Sequence, residues 1–241
     1  GRSNQPAAGC TESLQWSAME IFGFAAGPFQ TNCYVATGAP EMDGLSTPCI
    51  IIDPGMGAFE VVRGEVEKRD WKPEAILLTH GHIDHVRDVA EAADFWDIPV
   101  FIHESDNVLL ANPKLGGSSF GHLFDIDSMQ AYTKADFLED GDEVKWAGLN
   151  FEVIHAPGHS PGCVMLRASD GEDEIIFSGD VLFKGAIGRV DLPGSSPEHM
   201  QQSLKDKVLP LADDLMILPG HGSASSIGEE RATNPFLQNL T

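Results

Sequence analysis

Basic residues are scarce in this chain: 15 lysines and arginines stand against 37 aspartates and glutamates, a formal net charge of −22 over 241 residues. Nucleic-acid binding rests on Lys and Arg neutralising phosphates, so DNA and RNA are excluded as partners, and polyanions in general are repelled over most of the surface. No apolar stretch approaches the roughly 18 residues that a membrane span needs, so no membrane partner is expected. Cysteine is sparse too. Cys10, Cys33, Cys49 and Cys163 show no paired spacing and no C-x-x-C, so they read as buried or incidental thiols in a reducing compartment. Residues 1–15 lack the basic segment and apolar segment of a signal peptide and read as a disordered tail, which points to a cytoplasmic location. No linker or compositional break interrupts the rest. Residues 16–241 therefore read as one domain, and 42% hydrophobic content gives it a full core.

What is present is concentrated at residues 79–85, Thr-His-Gly-His-Ile-Asp-His. His80, His82, Asp84 and His85 follow the apolar run Ala75–Leu78, so they sit where a strand ends. Three more residues of the same kind lie in Gly-rich settings: His159 in Pro-Gly-His-Ser-Pro-Gly, Asp180 in Ser-Gly-Asp, and His221 in Pro-Gly-His-Gly. Imidazole and carboxylate together suit zinc, iron or manganese, and five His with two Asp suffice for two divalent ions sharing one carboxylate. His80 and His82, two apart in an extended segment, point to one side, and Gly81 lets the backbone between them turn. His85 follows Asp84 directly and projects differently. The reading is therefore His80, His82 and His159 for one ion, Asp84, His85 and His221 for the other, and Asp180 as the bridge. His103, His122 and His199 read as surface or core residues, and His155 as a packing residue.

Strands are expected at 20–24, 32–36, 49–53, 75–79, 100–103, 143–146, 149–155, 162–167, 174–178 and 215–218. Helices are expected at 58–70, 84–95, 197–208 and 226–239. Residues 38–48 read as a hairpin loop, and 112–130 as a long loop with at most a short helix. Strands and helices in each half suggest an α/β (α+β) arrangement of two sheets face to face with helices outside. Asp84 falls near a helix N-terminus, where the dipole favours a carboxylate.

These residues resemble the metallo-β-lactamase-fold hydrolase superfamily, whose mark is H-x-H-x-D-H. The likeness spans about residues 19–240. Asp53-Pro54-Gly55, Gly158-His159-Ser160-Pro161-Gly162, Gly179-Asp180 and Leu218-Pro219-Gly220-His221-Gly222 fall in the family's order. The resemblance implies a four-layer αββα sandwich, the metallo-β-lactamase fold, with the site between the sheet edges, and it supports the same ligand assignment.

Within the superfamily, Gly185–Asp191 and Ile227–Leu237 look like the short single-domain members of the glyoxalase II (hydroxyacylglutathione hydrolase) branch. Two departures concern the substrate. The helical domain that gives the long members much of their glutathione contact is missing, and their Lys and Tyr after the bridging Asp are replaced by the Arg189/Asp191 segment. The zinc β-lactamases often carry Cys where Asp180 stands. The resemblance implies thioester hydrolysis by a hydroxide held between two divalent ions, zinc foremost with iron or manganese as alternatives. The substrate would be a small-molecule S-acylglutathione or related thioester. Asp84 would orient the hydroxide as well as bind metal, Asp53 would support a ligand His, and Arg189 is a candidate partner for a substrate carboxylate. The alternative on the same fold is a persulfide dioxygenase using one iron. The oligomeric state is not legible.

Overall fold

Alternation along the strands decides the architecture. In the computed structural model, residues 11–16, 18–38, 45–116 and 120–240 are described. The first sheet runs in chain order: β1 (Thr11–Gln15), β2 (Glu20–Ala26), β3 (Thr31–Thr37), β4 (Thr47–Ile52), β5 (Trp71–Leu77), β6 (Val100–His103) and β7 (Asp136–Leu138). The second contains β8 (Glu143–Trp146), β9 (Leu149–His155), β10 (Val164–Ser169) and β11 (Glu174–Gly179). After a small hairpin of β12 (Leu182–Phe183) and β13 (Ala186–Ile187), β14 (Met216–Pro219) and β15 (Ser225–Ser226) complete that sheet beside β11.

Successive side chains on a strand face opposite ways. On β4 and at the end of β5, Ile50, Ile52, Ala75 and Leu77 face the second sheet, where Phe151, Val153, Val164, Leu166 and Phe177 meet them. Their neighbours Cys49, Ile51, Ile76 and Leu78 turn the other way, onto α1 (Ala58–Arg69), α2 (Ile83–Val86) and α3 (Val89–Trp96). The second sheet does the same. Ile154, Met165, Ile176 and Ile217 face outward onto α5 (Pro197–Ser203), α6 (Ile227–Thr233) and α7 (Pro235–Gln238); α4 (Asn107–Ala111) packs by Leu110 on the first sheet's side. Three apolar layers thus separate four layers of secondary structure, the expected αββα sandwich.

Several boundaries differ from expectation, each for a local reason. Thr11–Gln15, expected to belong to a disordered tail, pair with β2 from Thr11 opposite Phe24 to Gln15 opposite Glu20, whereas residues 1–10 of that expectation lie outside the described residues. The helix expected at 84–95 is split into α2 and α3. Between them the Asp88 carboxylate leaves its own segment to accept the Phe59 N–H at 3.1 Å, serving the start of α1, where Gly57 supplies no side-chain cap. The helix expected at 226–239 breaks at Asn234-Pro235, where Asn234 caps α7 and proline takes its first position. Among the described residues of 112–130, short 3₁₀ turns stand at Pro113–Gly116, Gly121–Phe124 and Ile126–Ser128. The loop expected at 38–48 falls largely outside the described residues. Among the described residues, no helix is long and apolar enough to cross a membrane.

One edge of the sandwich collects the strand ends that matter. β4 runs parallel to β5, and β11 parallel to β14. The loops after these four strands carry Asp53, His80 and His82, Asp180 and His221. The two edges are stitched across, Val164 N–H donating to Thr79 O (2.8 Å) and Asn32 N–H to Gly220 O (2.7 Å), while within the second sheet Gly220 N–H donates to Gly179 O (2.8 Å).

Candidate metal centre

All seven residues singled out by the sequence converge at this edge. His80, His82 and His159 form one cluster, and Asp84, His85, Asp180 and His221 a second, with the donor atoms of each cluster within 4.8 Å of one another. Asp180 lies between them. Its Oδ2 is 3.2 Å from His159 Nε2, 3.7 Å from His80 Nε2 and 3.4 Å from His221 Nε2, and its Oδ1 is 3.1 Å from His85 Nε2. Asp84 Oδ2 stands 3.1 Å from His221 Nε2 and 3.4 Å from His85 Nε2. Two donors each about 2.1 Å from an ion, at a tetrahedral angle, are about 3.4 Å apart, which is the spacing found here.

The polar bookkeeping of the site also fits a pair of cations. His80 Nε2, His85 Nε2 and Asp180 Oδ1 are buried without a hydrogen-bond partner. Unpartnered buried acceptors are costly, and lone pairs converging on common points are what cations satisfy. The residues present therefore fit two divalent ions, one in each cluster with the Asp180 carboxylate shared.

The imidazoles are aimed by contacts on their far nitrogens. His85 Nδ1 lies 2.8 Å from Asp53 Oδ2, which fixes Nδ1–H as donor and turns Nε2 inward. His159 Nδ1 donates to Arg189 O (2.8 Å), and His221 Nδ1 to Phe29 O (3.2 Å). The Thr31 hydroxyl donates to Asp84 Oδ2 (3.0 Å). Asp53 itself, at the left-handed φ of 53°, also accepts the Thr79 N–H (2.8 Å) and hydroxyl (2.6 Å). The expectation that Asp53 supports a ligand His thus corresponds to a direct contact. Arg189 enters differently: its side chain grips Asp191 (2.7 and 2.9 Å), and its backbone carbonyl orients His159.

Asp106 was invisible in the sequence. Fully buried, it accepts Gly81 N–H (2.9 Å), Ser160 hydroxyl (2.7 Å) and Gly162 N–H (2.7 Å), pinning the loop of His80 and His82 to the loop of His159. The other histidines stay outside. His103 and His155 stack on each other at 4.1 Å, and His122 and His199 are exposed. Close approach also explains Gly220, where a Cβ would fall 2.2 Å from Asp180 Oδ1 and 2.7 Å from His85 Cε1.

Electrostatics divides the ligand-type groups. Burial, then the neighbouring His85, holds His80 well below the ordinary imidazole range, and burial with His159 lowers His82 to about 4. Burial also acts to lower His221, but hydrogen bonds to Asp180 and Asp84 outweigh it and raise this group to about 9. His85 is raised in the same way by Asp180, Asp84 and Asp53 against its burial. Burial opposes ionisation of Asp180, yet His85, His80 and hydrogen bonds from His159 and His221 hold it well below the usual carboxylate range. The centre is built to balance concentrated positive charge against two ionised carboxylates.

A cavity of about 740 Å³ opens over the centre, with His82, Asp84, His159, Asp180 and His221 at its floor. Among the described residues, no serine, threonine or cysteine is in its lining. Cys33, Cys49 and Cys163 are buried free thiols whose ionisation burial opposes; Cys10 lies outside the described residues.

Comparison with known proteins places this geometry. The family model of the metallo-beta-lactamase superfamily matches residues 26–221. The hydroxyacylglutathione hydrolase GloC of Haemophilus influenzae is 37% identical over 190 residues, covering 78% of this chain and 87% of its own. Among solved structures, the BLEG-1 B3 metallo-beta-lactamase superposes with a TM-score of 0.78 at 34% identity, covering 91% of this chain and all of that one. TTHA1623, solved in a di-iron-bound form, superposes with a TM-score of 0.71 at 36% identity, covering 90% and 100%.

Proposed function

Since the chain belongs to the metallo-beta-lactamase superfamily, whose members are metallo-hydrolases, we propose that it hydrolyses thioesters at the centre between its two sheets. The observation that carries this reading is the gathering of seven donors into two clusters sharing Asp180, at the floor of an open cavity. The nucleophile in this reading is water: it adds to the acyl carbon, the C–S bond breaks, and a carboxylic acid and a thiol leave. The thioester bond as target rests on the likeness to a hydroxyacylglutathione hydrolase.

His80, His82 and His159 would hold one divalent ion, and Asp84, His85 and His221 the other, with Asp180 available to both; zinc is the first assignment, with iron or manganese as alternatives. Ions so held supply a Lewis acid for the carbonyl oxygen and lower the pKa of water toward neutrality. The chain's own part is positional. Asp53, the Arg189 carbonyl and the Phe29 carbonyl keep three imidazoles turned inward, and Asp106 holds two of the loops together. Asp84, at the cavity floor with Thr31 on one oxygen, orients the attacking water. The three buried free thiols suit a reducing compartment, and we assign the reaction to the cytoplasm.

The test is a panel of thioesters, S-D-lactoylglutathione among them, offered to metal-loaded and chelator-treated protein. Hydrolysis that disappears on chelation and returns with added metal is the expected result. Activity indifferent to chelation overturns it, and so does oxygen consumption with glutathione persulfide in place of hydrolysis.

A further inference from the structure

The walls of the cavity say what kind of thioester fits. We propose that the substrate carries an apolar, uncharged acyl group of medium length or with a ring, and that thiol carriers rich in carboxylates are disfavoured. The inference rests on the thioester reading above and narrows it.

Most of the lining residues are apolar, Phe29, Leu109, Phe120, Phe183, Ile187 and Leu192 among them. Phe29 meets Phe120 edge-on at 5.3 Å and Phe124 at 5.1 Å, which fixes one side. Phe183 stands edge-on to His221 at 5.7 Å, so apolar surface reaches the centre itself. The volume of about 740 Å³ lies in the range of sites that enclose a whole small molecule, far beyond what a two- or three-carbon acyl group fills. Among the described residues the lining holds no lysine and one arginine, Arg189. That guanidinium is already paired with both oxygens of Asp191, at 2.7 and 2.9 Å.

Those facts weigh against an anionic carrier. Glutathione brings two carboxylates and one ammonium, and each carboxylate needs a donor when it leaves water. Here the one cation in the described lining, Arg189, already shares its charge with Asp191, and it stands near Asp84 and Asp180 on a chain of net charge −22. An apolar acyl group has no such cost and gains about fourfold in affinity for each methylene buried.

The experiment uses the metal-loaded full chain. Acetyl, hexanoyl and phenylacetyl thioesters of N-acetylcysteamine, a neutral carrier, are compared with the same acyl groups on glutathione. Binding of unreactive methyl and hexyl thioethers of N-acetylcysteamine is measured alongside by calorimetry. We expect kcat/KM to rise at least tenfold from acetyl to hexanoyl and to fall at least tenfold on the glutathione carrier. The hexyl thioether should bind at least tenfold tighter than the methyl one. Leu192→Lys, which places an unpaired ammonium in the wall, should narrow the gap between carriers. Equal rates across acyl lengths, or preference for the glutathione carrier, overturn the inference while leaving thioester hydrolysis standing. If no thioester is hydrolysed, the hydrolytic reading fails, and the thioether series still decides on the apolar wall: equal binding of methyl and hexyl overturns it.

Discussion

His85 carries no hydrogen bond on the nitrogen that faces the centre, and its direction is set by a carboxylate on the opposite nitrogen. Asp53 holds that ring while also holding Thr79, whose hydroxyl lies 3.1 Å from His80 Nδ1, so one residue orients a member of each cluster. Losing such an outer contact costs about 10- to 100-fold in metal affinity or activity in comparable sites. Asp53→Ala is therefore expected to lower both by about that factor with an unchanged circular dichroism spectrum; metal titration with a chromophoric chelator reads the affinity directly. Protonation gives a second expectation. His221 holds its proton up to about pH 9, whereas His82, lowered to about 4, is neutral through the same range. A cation entering at His221 must displace that proton, so metal affinity falls as pH drops below about 9, by up to about tenfold per unit from this one group. Chelator competition from pH 6 to 9 checks the slope, and an affinity independent of pH in that window would remove His221 from the ligands.

At the scale of elements, the parts legible in the sequence are those governed by neighbours along the chain. The apolar runs Cys49–Ile52 and Ala75–Leu78 announced β4 and β5, and the Gly- and Pro-flanked histidines announced the loops that end them. β1 escaped because its residues are polar and its stability comes from pairing with β2, a partner that no local pattern names. The splitting of α2 from α3 escaped for a similar reason, since Asp88 is diverted to the start of α1. Asp106 is the sharpest case: three of its partners are Gly81, Ser160 and Gly162, two of them more than fifty positions away. It sits in Glu-Ser-Asp just after β6, with nothing to mark it as more than a surface acid. The fold makes it a clamp between the loop of His80 and His82 and the loop of His159. Asp106→Ala leaves two N–H groups and a hydroxyl without their acceptor, and each buried polar group left unsatisfied costs about 1–3 kcal/mol, so the loss is several kcal/mol. Ser160→Ala removes one hydrogen bond to the same carboxylate and costs about 1 kcal/mol. Urea denaturation of both variants should return that order; equal and small effects would show that the loops hold without the clamp.

On the scale of the whole molecule, the centre is a polar junction between the two sheets. His80, His82, Asp84 and His85 belong to the first sheet's side, and His159, Asp180 and His221 to the second's. Any ion held by both sets cross-links the halves of the sandwich, and any ion bound only by the folded chain stabilises it by mass action. Two carboxylates and five imidazoles packed together on a chain of net charge −22 make that term large, because without added positive charge Asp84 and Asp180 depend on protonated histidines for balance. At free metal a thousandfold above the dissociation constant, one site contributes about 4 kcal/mol. For a chain of this length each kcal/mol moves Tm by about 2–4 °C, so saturating one site is worth on the order of 10 °C. Melting curves of metal-loaded, chelator-treated and metal-restored protein should show a drop of that size and its recovery. Asp180→Ala removes the residue shared by both clusters, so its melting temperature should respond much less to chelation. Identical melting curves with and without chelator in the unaltered protein would mean that no cation bridges the sheets.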